Sequence, residues 1–363
     1  MSADAACEPC LRRAWLVGRL AGHLEPVRVR IAELLALDDE ALLAAVGGDR
    51  RAELADELGR FDAERYLLRS GTAGLELLCR CDPRYPERLS GLRSAPAVLH
   101  IAGGLDRLVE LVGADPVAVV GARRCSPYGR EVSSSLARGL AAAGVTVVSG
   151  MALGIDGAAH RGALDGGPAT IAVLPTGADR AYPPSARALY ARITSTGAAV
   201  SELPPGCTAW RWTFTARNRI IAGLSAMTVV VEAAGRSGAL TTANAARDLG
   251  RPLGAVPGRV TSPLSAGPNR LLAAGATLVS GAQEVLDELF GAGMRTAPVS
   301  AAAAPLPPDL EALRQLIAAG LEAGDAIREA GIDPAEGLAS LAALELGGHV
   351  RREAGGRYSP VLA

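Results

Sequence analysis

Lysine is missing altogether from this 363-residue chain, and all 37 of its basic residues are arginine. A P-loop is thereby excluded, because the lysine that reaches the β- and γ-phosphates has no counterpart here. Part of the bias reflects genomic base composition. Its physical effect is that every basic group is a planar fork, able to grip phosphate or stack on a base. Long apolar runs are also missing: none approaches the roughly 20 residues that a bilayer span needs. The N-terminus MSADAACEPCLRR lacks the apolar stretch of a secretion signal, so a cytoplasmic protein without membrane contact is expected. No GxGxxG follows a candidate strand, and neither GxSxG nor HExxH occurs. Cysteines number six, too scattered for a disulfide framework, and are expected to be reduced. Cys7-x-x-Cys10 with Cys79-x-Cys81 offers four thiols in principle, but the second pair is closer than the usual zinc-ligand gap. The expectation is therefore two unrelated thiol pairs, with no metal and no cofactor.

What is present is an uneven charge. The net −1 conceals a basic centre: residues 116–252 hold 14 arginines against 7 acids, residues 1–115 hold 15 against 19, and residues 253–363 hold 8 against 12. Such placement suits a polyanionic partner. Residues 1–75 read as a small helical domain, from apolar positions three and four apart in RRAWLVGRLAG and VRIAELLALDDEALLAAV. Residues 82–292 change rhythm. Apolar strands are predicted at 116–120, 145–149, 170–174, 198–203, 227–233 and 253–258, separated by Gly- and Ala-rich helices. That pattern predicts an α/β fold, a Rossmann-like, mainly parallel, doubly wound sheet. A Pro- and Ala-rich linker at 293–308 precedes three predicted helices and a hairpin turning at Gly355-Gly356, the element order of a winged helix, over 309–363. The acidic balance of that last segment does not favour DNA.

In parallel sheets, ligands bind beyond the carboxyl ends of the strands, so the candidate contacts are read there. The first predicted strand of the sheet runs into Gly121-Ala122-Arg123-Arg124, the second into Ser149-Gly150 with Gly154 beyond, and both turns read as anion grips. Asp156 is placed to cap the helix that follows, and His160 reads as a satisfied structural residue. In AWRWTFTARNRIIAGLS (209–225), Arg217, Asn218 and Arg219 follow Trp210, Trp212 and Phe214. Aromatics interleaved with arginines suit single-stranded nucleic acid, since stacking contributes about 1–3 kcal/mol per base. Phe214 is assigned to the core, and either Trp210 or Trp212 to base contact. Gly235-Arg236-Ser237-Gly238-Ala239-Leu240-Thr241-Thr242 presents Ser237, Gly238, Thr241 and Thr242 at a helix N-terminus, again favouring an anion.

These segments, with YPERL (85–89), VGARRCSPYG (120–129), SGMALGIDGAAH (149–160), AYPPSARAL (181–189), VVVEAAGRSGALTTANAA (229–246) and SAGPNRLLAAGA (265–276), resemble the DNA-processing protein A family. The resemblance runs almost unbroken over 82–290. It implies an extended Rossmann fold with an N-terminal helical SAM-like domain and a C-terminal winged helix. It further implies single-stranded DNA binding, a homodimer, and loading of the RecA recombinase during natural transformation. By motif match, Arg123 stands at the family's DNA-contacting arginine, Arg187 where lysine is common, and Arg217 and Arg219 at its paired arginines.

The competing class is a nucleotide enzyme of the phosphoribohydrolase type, which carries P-G-G-x-G-T-x-x-E with a catalytic glutamate. Here the comparable strand ends in VEAAGRSGALTT, without that acid. Glu202 and Glu232 lie at predicted strand ends, where a carboxylate more often caps a helix or orients an arginine, so no catalytic residue is assigned. A purely structural hub would leave the basic sheet edge unexplained. The expectation is a binder, with phosphates meeting Arg123, Arg187, Arg217, Arg219 and the amides near Gly150 and Gly238.

Overall fold

The computed structural model describes residues 6–167, 170–297, 306–346, 349–353 and 356–360. Nine strands form one sheet in the order β1-β2-β6-β5-β4-β3-β7-β8-β9. They are β1 Glu76–Cys79, β2 Val98–Ala102, β3 Val117–Val120, β4 Val147–Ser149, β5 Thr170–Val173, β6 Ala198–Ser201, β7 Met227–Val230, β8 Leu253–Ala255 and β9 Thr277–Leu278. All pairings from β6 across to β9 are parallel. β1 and β2 extend the β6 edge antiparallel. The six strands expected from apolar runs are all strands, whereas β1, β2 and β9 are not among the strands expected.

Near-continuous apolarity in the central strands is explained by burial on both faces: every residue of β3, β5 and β7 is buried. One face packs on helices Pro127–Ala142, Ile155–Gly166 and Ala282–Phe290 through Val132, Leu136, Leu140, Ile155 and Leu286. The other packs on helices Leu105–Val112, Arg211–Leu224 and Ala239–Asp248 through Leu108, Ile220, Ile221 and Ala243. Gly162 and Gly166, one turn apart, set helix Ile155–Gly166 directly against its neighbour. A Cβ on either would lie 2.0 or 2.3 Å from the carbonyl oxygens of Ser134 and Arg138.

The chain divides into two compact units at Ala297/Pro298. The N-terminal helices belong to the first, and their core of Leu16, Leu20, Leu24, Ile31, Leu42 and Leu54 is completed by Trp212 from the sheet-covering helix. The second unit has helices Pro308–Ala318, Ala323–Glu329 and Pro334–Leu346 and an antiparallel hairpin of Val350–Arg352 with Tyr358–Pro360, β10 and β11. Leu313, Ile317, Ile327, Leu341, Leu344 and Val350 form its core. Residues 298–305 of the linker expected at 293–308, and Gly355 of the expected hairpin turn, lie outside the described residues. Among the described residues, no helix is long and apolar enough to cross a membrane.

Candidate nucleic-acid interface

Strand order reverses at β3. From it the chain winds through β4, β5 and β6 on one side, and helix Arg211–Leu224 then carries it back across the sheet to β7 on the other. At such a switch point the loops leaving the two central strands diverge and open a crevice at their carboxyl ends. The crevice here has a volume of about 280 Å³ and is lined by Gly121 and Arg123 after β3, Asp156, Phe214, Arg217 and Asn218, and Ser237, Gly238, Thr241 and Thr242 after β7. Most of the residues expected from three separate motifs therefore meet in one place.

At the rim, the exposed Arg123 guanidinium lies over the Phe214 ring, 4.4 Å from its centre, and Phe214 tilts against Tyr182 with centroids 5.5 Å apart. A cation on an aromatic face is held by the ring quadrupole. Arg124 is exposed beside it. At the floor, Arg217 is buried, donates to the Val173 carbonyl at 3.1 Å and lies 3.9 Å from Asp156. Burial lowers its pKa to about 10, with Asp156 opposing and Arg123 adding to the fall. Burial likewise raises the Asp156 pKa, and Arg217 opposes that. Asp156 accepts the Gly150 N–H at 3.2 Å.

The glycines of the SGMALGIDG turn therefore make room for the protein itself. A Cβ on Gly150 would fall 1.2 Å from Arg217 Nη1, and Gly154, at φ +80°, brings its Cα against the Ala122 carbonyl. The Gly150 amide, expected to meet phosphate, is occupied by Asp156. Ser149 is buried too, its hydroxyl donating to the Val119 carbonyl at 2.7 Å. On the opposite wall, Asn218 Nδ2 donates to the Gly238 carbonyl at 3.0 Å and to Thr241 Oγ1 at 2.6 Å, fixing the β7 loop. Ser237 Oγ accepts from the Ala239 amide at 3.3 Å. Thr242 is buried and Thr241 exposed.

Three expectations are corrected. Trp212 is completely buried among the N-terminal helices, its Nε1 donating to the Ala21 carbonyl at 2.9 Å, so its ring is closed to a base; Trp210 is the exposed one. Arg219 is buried in a two-pronged ion pair with Glu202 at 2.8 and 2.7 Å and also donates to the Ser94 carbonyl. Its donors are turned away from the crevice. Phe214, assigned to the core, forms the crevice wall.

Arg187 stands exposed at the start of helix Arg187–Thr196, outside the crevice lining. Glu232 accepts from Ser126 N at 2.8 Å and Oγ at 2.5 Å, holding the N-cap of helix Pro127–Ala142. His160 is buried, with Nδ1 2.7 Å from Thr170 Oγ1, and desolvation pushes its pKa down to about 3. Tyr182 went unmarked in the sequence. Phe214 could have been found from helical spacing, because Phe214, Arg217, Asn218 and Ile221 share one face, whereas Trp212, Ala216 and Arg219 share another.

Comparison with known proteins places the chain in a family. The family model for DNA recombination-mediator protein A matches residues 76–290. A putative DNA processing protein DprA of Mycobacterium tuberculosis is 38% identical, with 88% of this chain and 89% of that protein covered. The DNA processing protein DprA of Streptococcus pneumoniae is 42% identical over 57% of this chain and 72% of its own length. The X-ray structure of S. pneumoniae DprA superposes with a TM-score of 0.63 at 32% identity, covering 77% of this chain and 96% of that one. A structure of DNA processing protein A from Helicobacter pylori, described for its single-stranded DNA binding mode, gives 0.53 at 30% identity, covering 59% and 95%. The chain belongs to the DNA recombination-mediator protein A family.

Proposed function

We propose that the chain binds single-stranded DNA along the carboxyl edge of the parallel sheet, centred on the Arg123–Phe214 pair, and performs no covalent chemistry on it. The observation that carries this reading is an exposed guanidinium stacked on a half-buried aromatic ring at the switch point. Arg123, Arg124 and Arg187 are exposed and make no ion pair with any described residue. Such groups favour a flexible polyanion whose bases can stack. Commitment of the nearby acids supports binding without catalysis: Asp156 holds backbone amides and Arg217, Glu202 holds Arg219, and Glu232 holds Ser126. Arg217 and the β7 loop residues Ser237, Gly238 and Thr241 form the phosphate-facing floor and wall.

In this reading the protein is cytoplasmic, acts as a homodimer that lengthens the arginine track, and passes the strand to RecA. Its C-terminal unit serves as a winged helix whose acidic balance suits a protein partner better than DNA. The test is fluorescence anisotropy on oligo-dT and on duplex over a salt series. Contact by three arginines predicts tighter binding to the single strand and a log–log salt slope of about −2, at roughly −0.7 per phosphate. Failure of oligo-dT to associate in dilute buffer overturns the proposal.

A further inference from the structure

Four of the six cysteines meet away from the crevice, on the side of the sheet where the N-terminal helices pack. Cys7 and Cys10 flank the first turn of helix Glu8–Arg19, and Cys79 and Cys81 lie at the end of β1 and just beyond it. Their sulfur atoms all fall within 4.8 Å of one another, with Cys10–Cys81 at 3.7 Å and Cys7–Cys79 at 4.0 Å. Both distances are far beyond the disulfide bond length of about 2.05 Å. They are close to the ~3.8 Å that separates sulfurs around a tetrahedral zinc with bonds of about 2.3 Å.

The second pair's spacing, too short for the usual zinc knuckle, is set by a turn at the end of β1. The Arg80 amide still bonds to the Ala97 carbonyl at 3.0 Å, but Asp82 N donates to Cys79 O at 2.9 Å, closing a turn that brings Cys81 back beside Cys79. The first pair uses the helix instead: Cys10 N and Leu11 N donate to Cys7 O at 3.1 Å, folding Cys7 back toward Cys10. Simple hydrophobic packing does not account for the group, because Cys81 is exposed while Cys10 and Cys79 are buried. That gradient gives a closed four-sulfur site one open flank through which an ion enters.

We propose that Cys7, Cys10, Cys79 and Cys81 form a structural zinc site that pins the first helix to the outermost strand of the sheet. Four thiolates select a soft or borderline cation over magnesium or calcium. On binding, each thiol gives up its proton to solvent, and the ion replaces the covalent tie that a reduced chain lacks.

The test uses full-length protein purified under reducing conditions without chelator. Metal analysis should find one zinc per chain, released by a mercurial, and X-ray absorption at the zinc edge should show four sulfur ligands at about 2.3 Å. Cys81→Ser changes the exposed ligand with little effect on packing, and should weaken zinc retention against a chelator by at least roughly tenfold. Zinc absent from both the purified and the zinc-reconstituted protein overturns the proposal. So does zinc bound with fewer than four sulfurs, zinc retention unchanged in Cys81→Ser, or recovery of the four cysteines as two disulfides from freshly lysed cells.

Discussion

Arg219 and Arg123 carry the same group on the same sheet edge, and the structure gives them opposite tasks that one pair of substitutions separates. Arg219 and Glu202 keep only 7% and 10% of their side-chain surface in water. Replacing Arg219 by alanine leaves the Glu202 carboxylate buried without its partner, and leaves the Ser94 carbonyl without its two guanidinium donors. Breaking a buried pair in this way costs about 3–5 kcal/mol. For a compact unit of this size that lowers the melting temperature by about 5–8 °C. Arg219→Leu combined with Glu202→Leu should recover part of the loss, because no lone charge remains. Arg123→Ala should leave melting almost unchanged, since the side chain is exposed, but make the salt slope of oligo-dT binding shallower by about 0.7. The assay is thermal unfolding by circular dichroism, paired with anisotropy titrations at several salt concentrations well below the transition. Should Arg219→Ala melt with the parent and lose slope, Arg219 meets phosphate, and the structural assignment made for it fails.

Phe214→Leu keeps the volume of the crevice wall but removes its π-face, so oligo-dT affinity should fall by about 1–3 kcal/mol with the salt slope retained; unchanged affinity would show that no base stacks there. Trp212→Ala should destabilise the first unit by about 3–5 kcal/mol through the cavity left among Leu16, Leu20 and Leu24. Affinity per folded molecule should stay at the parent value, and a selective loss of binding would return this ring to the DNA contact set. Acid should unfold the protein early. Desolvation holds His160 near a pKa of about 3 and His100 near about 4, against 6.5 when unfolded. Below pH 6.5 the unfolded chain therefore binds more protons than the native one, and stability is lost as pH falls, by about 1.4 kcal/mol per pH unit for each histidine until its folded pKa is reached. Denaturant unfolding between pH 7 and 4.5 measures it, and His160→Gln should make the decline less steep; an equally steep decline rules out His160 as a source.

The sheet was legible because its strands bury both faces. Val117–Val120 and Met227–Val230 have no polar face to hide, so apolar runs alone mark them. β1 and β2 were not: Glu76–Cys79 is short and opens on a charged residue, and the run Val98–Ala102 is broken by His100, whose burial rests on Tyr66 and the Ser201 carbonyl, partners distant in sequence. The convergence of the three loops at the β3–β7 crevice was legible too, since any doubly wound sheet gathers its strand-end loops on one rim. Which arginine faces that rim was not legible from motif alone. Arg217 and Arg219 are only two residues apart in the motif but about 200° apart around the helix, at 3.6 residues per turn. Only one of them can look into the crevice, and Phe214, three residues before Arg217, shares its face.

The four-cysteine cluster makes the complementary point about spacing rules. The usual ligand gap misjudges Cys79-x-Cys81 because β1 ends at Cys79 and the chain turns at once, Asp82 N donating to Cys79 O at 2.9 Å, so that Cys81 swings back beside Cys79. Nor does local spacing reveal that Cys7 and Cys10 lie beside that pair. The juxtaposition depends on the N-terminal helix packing against β1 and β2 through Leu11, Ala14, Tyr66 and Val98, and it exists only once the apolar core has formed. The sulfurs then meet where the helix begins and the chain leaves β1. The same packing sets His100 between Tyr66 Oη at 2.8 Å and the Ser201 carbonyl at 3.2 Å, so the helical segment is joined to the edge of the sheet by core, hydrogen bonds and thiols together. Trp212 ties the helices to the element that carries Phe214 and Arg217, so a strand bound as proposed would lie on a surface braced from that side. Loosening the thiol cluster should accordingly be felt first as a lower melting temperature, and only weakly in the salt slope, since no phosphate-facing arginine lies on the pinned helix.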